Sequence, residues 1–353
     1  MTHIKCVFVS YLDSSYSRTS VYLNGPSRND FFFWQVKGNK LRKFWSLVSL
    51  VIKHCKGETI FVVMSPCHSL VIPLRFLTFK KIVLDAGWSH TEALQARFRQ
   101  VWLRPRYIFT YFIDFLSFHL SNICIFESEL QCLWIRRRFL LRSSKAYSLF
   151  TGFNESMYQD LNPTMPPELC NRLEFQKNYI LFRGSFTNEA GLNILRNVTQ
   201  SRHCLKQKFI IATNVRLKDF DNCKNVIVIE RFLLESEIKY LYVNCVLTLG
   251  QLRRTNRLMN TVPHKAFEAA YFGRPYMTRD ASGIREFLKH EETAIFVDTE
   301  TPEAVARILN RTLTDKNFLE RTGNLAKIRY DQVARQEKLQ NKFMAILRTV
   351  TRS

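Results

Sequence analysis

No two cysteines in this chain have the C-x-x-C spacing of a zinc site or redox pair; nine are scattered over 353 residues, at 6, 55, 67, 124, 132, 170, 204, 223 and 245. An odd, unpatterned set excludes a disulfide framework and reads as the reduced thiols of a cytosolic protein. Long apolar runs are missing as well. The most apolar long segment, Tyr107–Leu120, is interrupted by Asp114 and falls short of the about 20 residues that a bilayer requires. The start, MTHIKCVFVSYLDSS, lacks a basic region followed by a long apolar run, so it reads as a first strand and not as a signal peptide. No set of histidines, cysteines and aspartates has metal-ligand spacing, so neither a metal nor a cofactor is expected. Acidic residues are scarce: 30 Asp and Glu stand against 52 Lys and Arg, leaving a net charge of +22. That surplus calls for an anionic partner, which is nucleic acid, an anionic lipid surface or a phosphorylated small molecule. Against the first, no recognition helix, zinc finger or RNP motif appears.

What is present is strand–helix alternation. In the first half, strands are expected at Ile4–Ser10, Thr59–Met64, Lys81–Asp85, Ile123–Glu127 and Ala146–Phe150. Helices are expected at Leu41–Lys56, Leu70–Thr78, His90–Leu103, Tyr107–Leu120 and Glu129–Leu141. A proline-rich stretch, NPTMPPE at Asn162–Glu168, reads as a linker. The second half repeats the pattern, with strands at Tyr179–Phe182, Phe209–Thr213, Val226–Glu230, Cys245–Leu249, Tyr276–Arg279 and Ala294–Val297. Continuous apolar strands between helices argue for parallel, doubly wound sheets, and the length suits two domains. Basic and aromatic residues cluster at Phe31–Lys56, Arg97–Tyr111 and Trp134–Arg142, all in the first half. Such a mixture suits a membrane interface, and it equally suits buried rings beside solvated arginines.

The most informative stretch is Thr261–Arg285, TVPHKAFEAAYFGRPYMTRDASGIR. Pro263 suits the start of a helix; Gly273 suits the left-handed position just past its end, and Pro275 forbids resumption. Lys265 and Glu268 share one face, and Asp280–Gly283 is a turn after a short strand. The run Pro263, Lys265, Glu268, Ala269, Gly273, Pro275, followed by Ser282-Gly283 and Glu286, resembles the donor-binding region of the GT-B glycosyltransferases, specifically the large retaining family 4.

The resemblance implies two Rossmann-like, doubly wound α/β domains facing a cleft, with a C-terminal helical tail. Residues 1–161 would bind the acceptor, residues 162–330 the nucleotide-sugar donor, and the helix of 331–353 would pack back on the first domain. It further implies a retaining, metal-independent transfer of a sugar from a nucleotide diphosphate to a hydroxyl of a glycan or lipid-linked acceptor. The setting would be polysaccharide or lipid-linked glycan biosynthesis, in the cytoplasm or peripheral at the inner membrane face. In the strand–turn–helix Tyr179–Gly191, Gly184, Glu189 and Gly191 are kept, while Ser185 and Ala190 replace the usual arginine and lysine. Arg183 is the candidate substitute; with Lys265, and with Arg254 as a weaker third, it would neutralise the diphosphate, and Gly283 would form the second turn of the donor site. Glu268 would accept the ribose hydroxyls, and the acid common eight positions earlier is Asn260 here. On the acceptor side, Asp85 at a strand end would orient the hydroxyl or take its proton, with His90 and His68 as alternatives. The stretch Thr19–Pro26, with a tight turn at Asn24-Gly25, reads as the loop after the first strand. Other readings remain open: an inactive or divergent member, a sugar-nucleotide epimerase, or a basic nucleic-acid-binding protein.

Overall fold

The computed structural model describes residues 5–24, 31–54, 56–97, 105–184 and 190–352. It divides into two compact units, Met1–Asn154 with Gln336–Ser353, and Glu155–Arg335. The division falls at Asn154/Glu155, ahead of the proline-rich stretch, and the chain returns to the first unit at Gln336.

The first unit holds six parallel strands in the order β2-β1-β3-β4-β5-β6. These are β1 (Lys5–Ser10), β2 (Phe31–Gln35), β3 (Thr59–Met64), β4 (Lys81–Gly87), β5 (Ile123–Phe126) and β6 (Ala146–Ser148). All six residues of β3, TIFVVM, are buried, as expected for a strand covered on both faces. One face carries α2 (Lys40–His54), α3 (Val71–Leu77), α5 (Pro105–Leu120) and α6 (Glu129–Phe139), whose Leu47, Leu50, Leu74, Phe118 and Phe139 pack on Val7, Phe61 and Leu84. The other face carries α1 (Ser17–Leu23) and the C-terminal α12 (Gln336–Arg352). Leu339, Phe343, Leu347 and Val350 of α12 recur at helical spacing and are all buried. Phe343 stacks on Tyr22 with centroids 4.3 Å apart. The amides of Gln336 and Gln340 donate to the Val21 carbonyl at 3.1 and 2.6 Å.

One expectation fails here, and one strand was not expected. Residues 19–23 belong to helix α1, not to a loop, and Asn24 is its C-cap. Phe31–Gln35 is an edge strand, so its rings lie on the sheet, and the indole of Trp34 donates to Ser46 Oγ. The expected helix from His90 is α4 (His90–Arg97).

The second unit orders its parallel strands β9-β8-β7-β10-β11-β12. They are β7 (Tyr179–Arg183), β8 (Phe209–Thr213), β9 (Val226–Glu230), β10 (Cys245–Leu249), β11 (Tyr276–Arg279) and β12 (Ile295–Val297). Counting from β7, this is the 3-2-1-4-5-6 order of a dinucleotide-binding fold, whose strand order reverses between β7 and β10. Helices α7 (Leu192–Gln200), α8 (Glu235–Asn244), α9 (His264–Tyr271), α10 (Pro302–Thr314) and α11 (Lys316–Val333) cover the sheet. Among the described residues, no helix is long and apolar enough to cross a membrane.

Candidate active site

Ligands of open parallel sheets bind beyond the carboxyl ends of the strands, at the point where strand order reverses. In the second unit that point is occupied by Arg183, the last residue of β7. Its Nη1 donates to both carboxylate oxygens of Glu268 on α9, at 2.5 and 2.6 Å. Glu268 also accepts from the Tyr242 hydroxyl at 2.6 Å, and His264 Nδ1 lies 3.2 Å from its other oxygen, one helical turn back. Four contacts fill the in-plane lone pairs of a carboxylate whose side chain is only 3% exposed. Burial alone would raise the Glu268 pKa; Arg183, His264 and Tyr242 outweigh it and hold the carboxyl far below the ordinary range. Glu268 is therefore an anion at any physiological pH. It is neither a solvated surface pair with Lys265 nor an open acceptor for ribose hydroxyls; it is the anchor that fixes Arg183.

Arg183 keeps 26% of its side chain exposed. With Gly184, Thr213, Asn214, Arg231 and Phe232 it lines a pocket of about 190 Å³ past the ends of β7 and β8. Gly184 has φ +134°, a conformation that side chains rarely adopt, and a Cβ there would come 2.6 Å from Lys265 Cε. The lysine stem thus lies across the glycine, with its ammonium 3.6 Å from the centre of the Phe182 ring. Two cations, Arg183 and Lys265, flank one glycine turn.

Gly184→Ala should displace Lys265 and strain the turn by about 1–3 kcal/mol. The expected result is a lower melting temperature together with roughly tenfold weaker nucleoside diphosphate binding by calorimetry. Unchanged affinity would remove Lys265 from the site.

Gly283 meets the same edge from the other side. A Cβ on it would lie 2.4 Å from both the N and O of Thr261, so only glycine lets the Asp280–Gly283 turn touch the loop that carries Asn260. Asn260 is half-buried in that loop, its N–H donating to the Arg257 carbonyl. Arg254 is exposed; its backbone N–H donates to Glu300, and nothing places its guanidinium beside Arg183. Glu189 and Gly25 lie outside the described residues. A larger cavity, about 700 Å³, is lined by Asn178, Cys245 and Pro275 at the amino ends of β7, β10 and β11, the edge opposite Arg183. Asp219 and Asp221 stand one residue apart, which the sequence reading passed over. Both are exposed on the turn leading into the amino end of β9, again opposite Arg183.

In the first unit the structure corrects the role expected of Asp85. Its carboxylate is fully buried and accepts from Arg18 Nε at 2.9 and 2.7 Å. Arg18, itself 2% exposed, also donates to the Leu149 carbonyl and Thr151 Oγ1. No face of Asp85 is open to an acceptor hydroxyl.

His90 lies at the start of α4, where Asp114 from α5 accepts from the backbone N–H of His90 at 3.3 Å and from Thr91 N and Oγ1 at 2.8 and 2.6 Å. Ser89 and Glu92 complete a capping box that the sequence displays as S-x-x-E. A ring nitrogen of His68, one of His90 and an Asp114 oxygen lie within 4.8 Å of one another. Residues 22 and 24 positions apart carry no ligand spacing, so the sequence hid this cluster. Burial and the neighbouring His68 keep His90 well below the ordinary imidazole pKa, hence neutral at pH 7.

Tyr242, His264, Arg18 and Asp114 were missed as partners. Only His264 left a signal, its i, i+4 spacing from Glu268.

Residues 172–329 match the family model described as Glycosyl transferases group 1. No curated protein sequence matches the chain. Among solved structures, sucrose-phosphate synthase from Thermosynechococcus elongatus is similar with a TM-score of 0.72 at 11% identity, covering 98% of this chain and 99% of that one. Anabaena HepE in complex with UDP-glucose gives 0.71 at 12% identity, over 98% and 99%. A glycosyltransferase from Rickettsia africae gives 0.68 at 12% identity, over 99% of each chain. At these identities the likeness shows the fold, two parallel sheets with helices, which is GT-B. Residues 172–329 are thus a glycosyl transferases group 1 domain, and the chain that carries them is a glycosyltransferase of GT-B fold.

Proposed function

We propose that the chain is a retaining glycosyltransferase that moves a sugar from a nucleoside diphosphate to a hydroxyl of a glycan or lipid-linked acceptor. The observation that carries this is the Arg183–Glu268 pair beside Gly184 and Lys265, at the carboxyl edge where the strand order of the second unit reverses. A departing diphosphate develops negative charge, and fixed cations stabilise it without reorganising. Arg183 arrives pre-oriented because Glu268 holds one end of its guanidinium. Lys265, lying over Gly184, supplies a second charge. The pocket bounded by Thr213, Asn214, Arg231 and Phe232 has room beside Arg183 for the planar base. One of the neighbours holds UDP-glucose, which makes a uridine nucleotide the first donor to try.

The test is thermal shift with nucleoside diphosphates. A ligand at a hundred times its Kd stabilises the native state by about 2.7 kcal/mol, so a melting rise of several degrees is expected with UDP or another common diphosphate. No shift with any of them would refute the donor-site assignment.

A further inference from the structure

We infer that the outer face of α2, α3 and α5 in the first unit is a docking surface for an anionic lipid bilayer. These helices spend one face on the sheet, through Leu47 and Leu50, Val71 and Leu74, and Phe118. Their opposite faces carry apolar side chains that a solvated helix would not show. On α2, Trp45 and Ile52 stand seven residues apart, on one stripe, at 60% and 69% exposure. Phe76 on α3 and Phe79 just after it are 85% and 101% exposed, and Phe109 and Phe112 on α5 are 66% and 57% exposed. Helix α3 packs beside both α2 and α5, so the three displays adjoin. An apolar surface of this kind marks an interaction site, and its chemistry says which.

The charge decides the occupant. From Phe31 to Lys81 the chain carries nine lysines and arginines and a single acid, Glu58. The only acid on α5, Asp114, is buried against α4. A second copy of the chain would bring cations against cations. Duplex nucleic acid would meet the charge but leave the exposed side chains of Ile52, Phe76 and Phe79 in water. An anionic bilayer meets both: rings sit at headgroup depth while lysines and arginines lie against lipid phosphates. No described helix can span the bilayer, so the contact is interfacial. This surface does not depend on the donor site, which belongs to the other unit.

The experiment is co-sedimentation of the full chain with vesicles of phosphatidylcholine alone or in equal mixture with phosphatidylglycerol. Binding to the mixture, little binding to phosphatidylcholine alone and release by salt are expected. Trp45→Ser/Phe79→Ser/Phe112→Ser and, separately, Lys40→Glu/Arg106→Glu should each weaken binding at least about tenfold. Both variants alter exposed side chains and should keep the wild-type melting temperature and nucleoside diphosphate affinity, which separates this test from that of the donor site. Any one of four results would overturn the inference: no binding to the mixture, equal binding to phosphatidylcholine, wild-type binding by the serine variant, or tighter binding to duplex DNA at equal salt. So would a wild-type dimer that the serine variant turns into a monomer, since the face would then be a self-interface.

Discussion

Arg183→Ala will cost about 3–5 kcal/mol of folding stability, because it strands the Glu268 carboxylate in a buried site with its principal counter-charge gone. Tyr242 and His264 remain, but a hydroxyl and a ring N–H cannot replace a guanidinium that bridges both oxygens. The loss is chiefly the penalty of an unpaired ion, not the net contribution of the pair. Arg183→Met/Glu268→Leu should therefore recover most of the stability, since apolar replacement of both partners of a buried pair is often neutral. Function should not follow. The double variant lacks the cation that meets the diphosphate, so nucleoside diphosphate affinity should fall ten- to a hundredfold, as expected for losing a hydrogen bond to a charged group of about 1.5–3 kcal/mol. Glu268→Gln, which keeps one acceptor oxygen but loses the charge and turns the second acceptor into a donor, should fall between wild type and Arg183→Ala in melting temperature. Denaturant midpoints for the three variants, read beside calorimetric titrations with the nucleotide, check the whole set. An unchanged midpoint for Arg183→Ala would show that the pair does not anchor this site.

Most of the second unit was legible residue by residue. Phe209–Thr213, Val226–Glu230, Cys245–Leu249 and Tyr276–Arg279 are strands with the expected bounds, because a strand covered on both faces is written as an unbroken apolar run. The first unit hid two elements. Helix α1, SRTSVYL, is poor in strong helix formers, and it is held by α12, more than three hundred residues away. Strand β2 reads FFFWQ just ahead of a run of cations, and its parallel pairing with β1 is a tertiary fact that local pattern does not carry. The site divides in the same way. Short-range features could be read: Gly184 after a strand, Lys265 and Glu268 on one helix, Gly283 in a turn. Partnerships could not. Glu268 meets Arg183 across 85 positions and Tyr242 across 26, so a face shared with Lys265 looked like the main electrostatic neighbour when the decisive ones lay elsewhere.

The same blindness governs Asp85, and it makes a second large effect. Read alone, an aspartate at the end of β4 suggests a base awaiting a hydroxyl; in the fold it is the counter-ion of Arg18, 67 positions away. Asp85→Ala leaves a guanidinium 2% exposed with no anion on its Nε, and arginine cannot shed the proton to escape. Arg18 Nη1 would still hold the Leu149 carbonyl and Thr151, so α1 would keep one tether to the end of the sheet. A loss of about 3–5 kcal/mol is expected, enough to unfold a marginal domain. Asp85→Asn retains an oxygen for Arg18 Nε and should cost less, about 1–3 kcal/mol. The catalytic alternative predicts the reverse pattern, since an amide cannot take a proton: Asp85→Asn would fold normally and lose roughly 10²–10⁴ in kcat. Urea unfolding and single-turnover transfer on the asparagine variant separate the two. A structural counter-ion gives a shifted midpoint with turnover per folded molecule preserved, whereas an intact midpoint with collapsed turnover would return Asp85 to the chemistry.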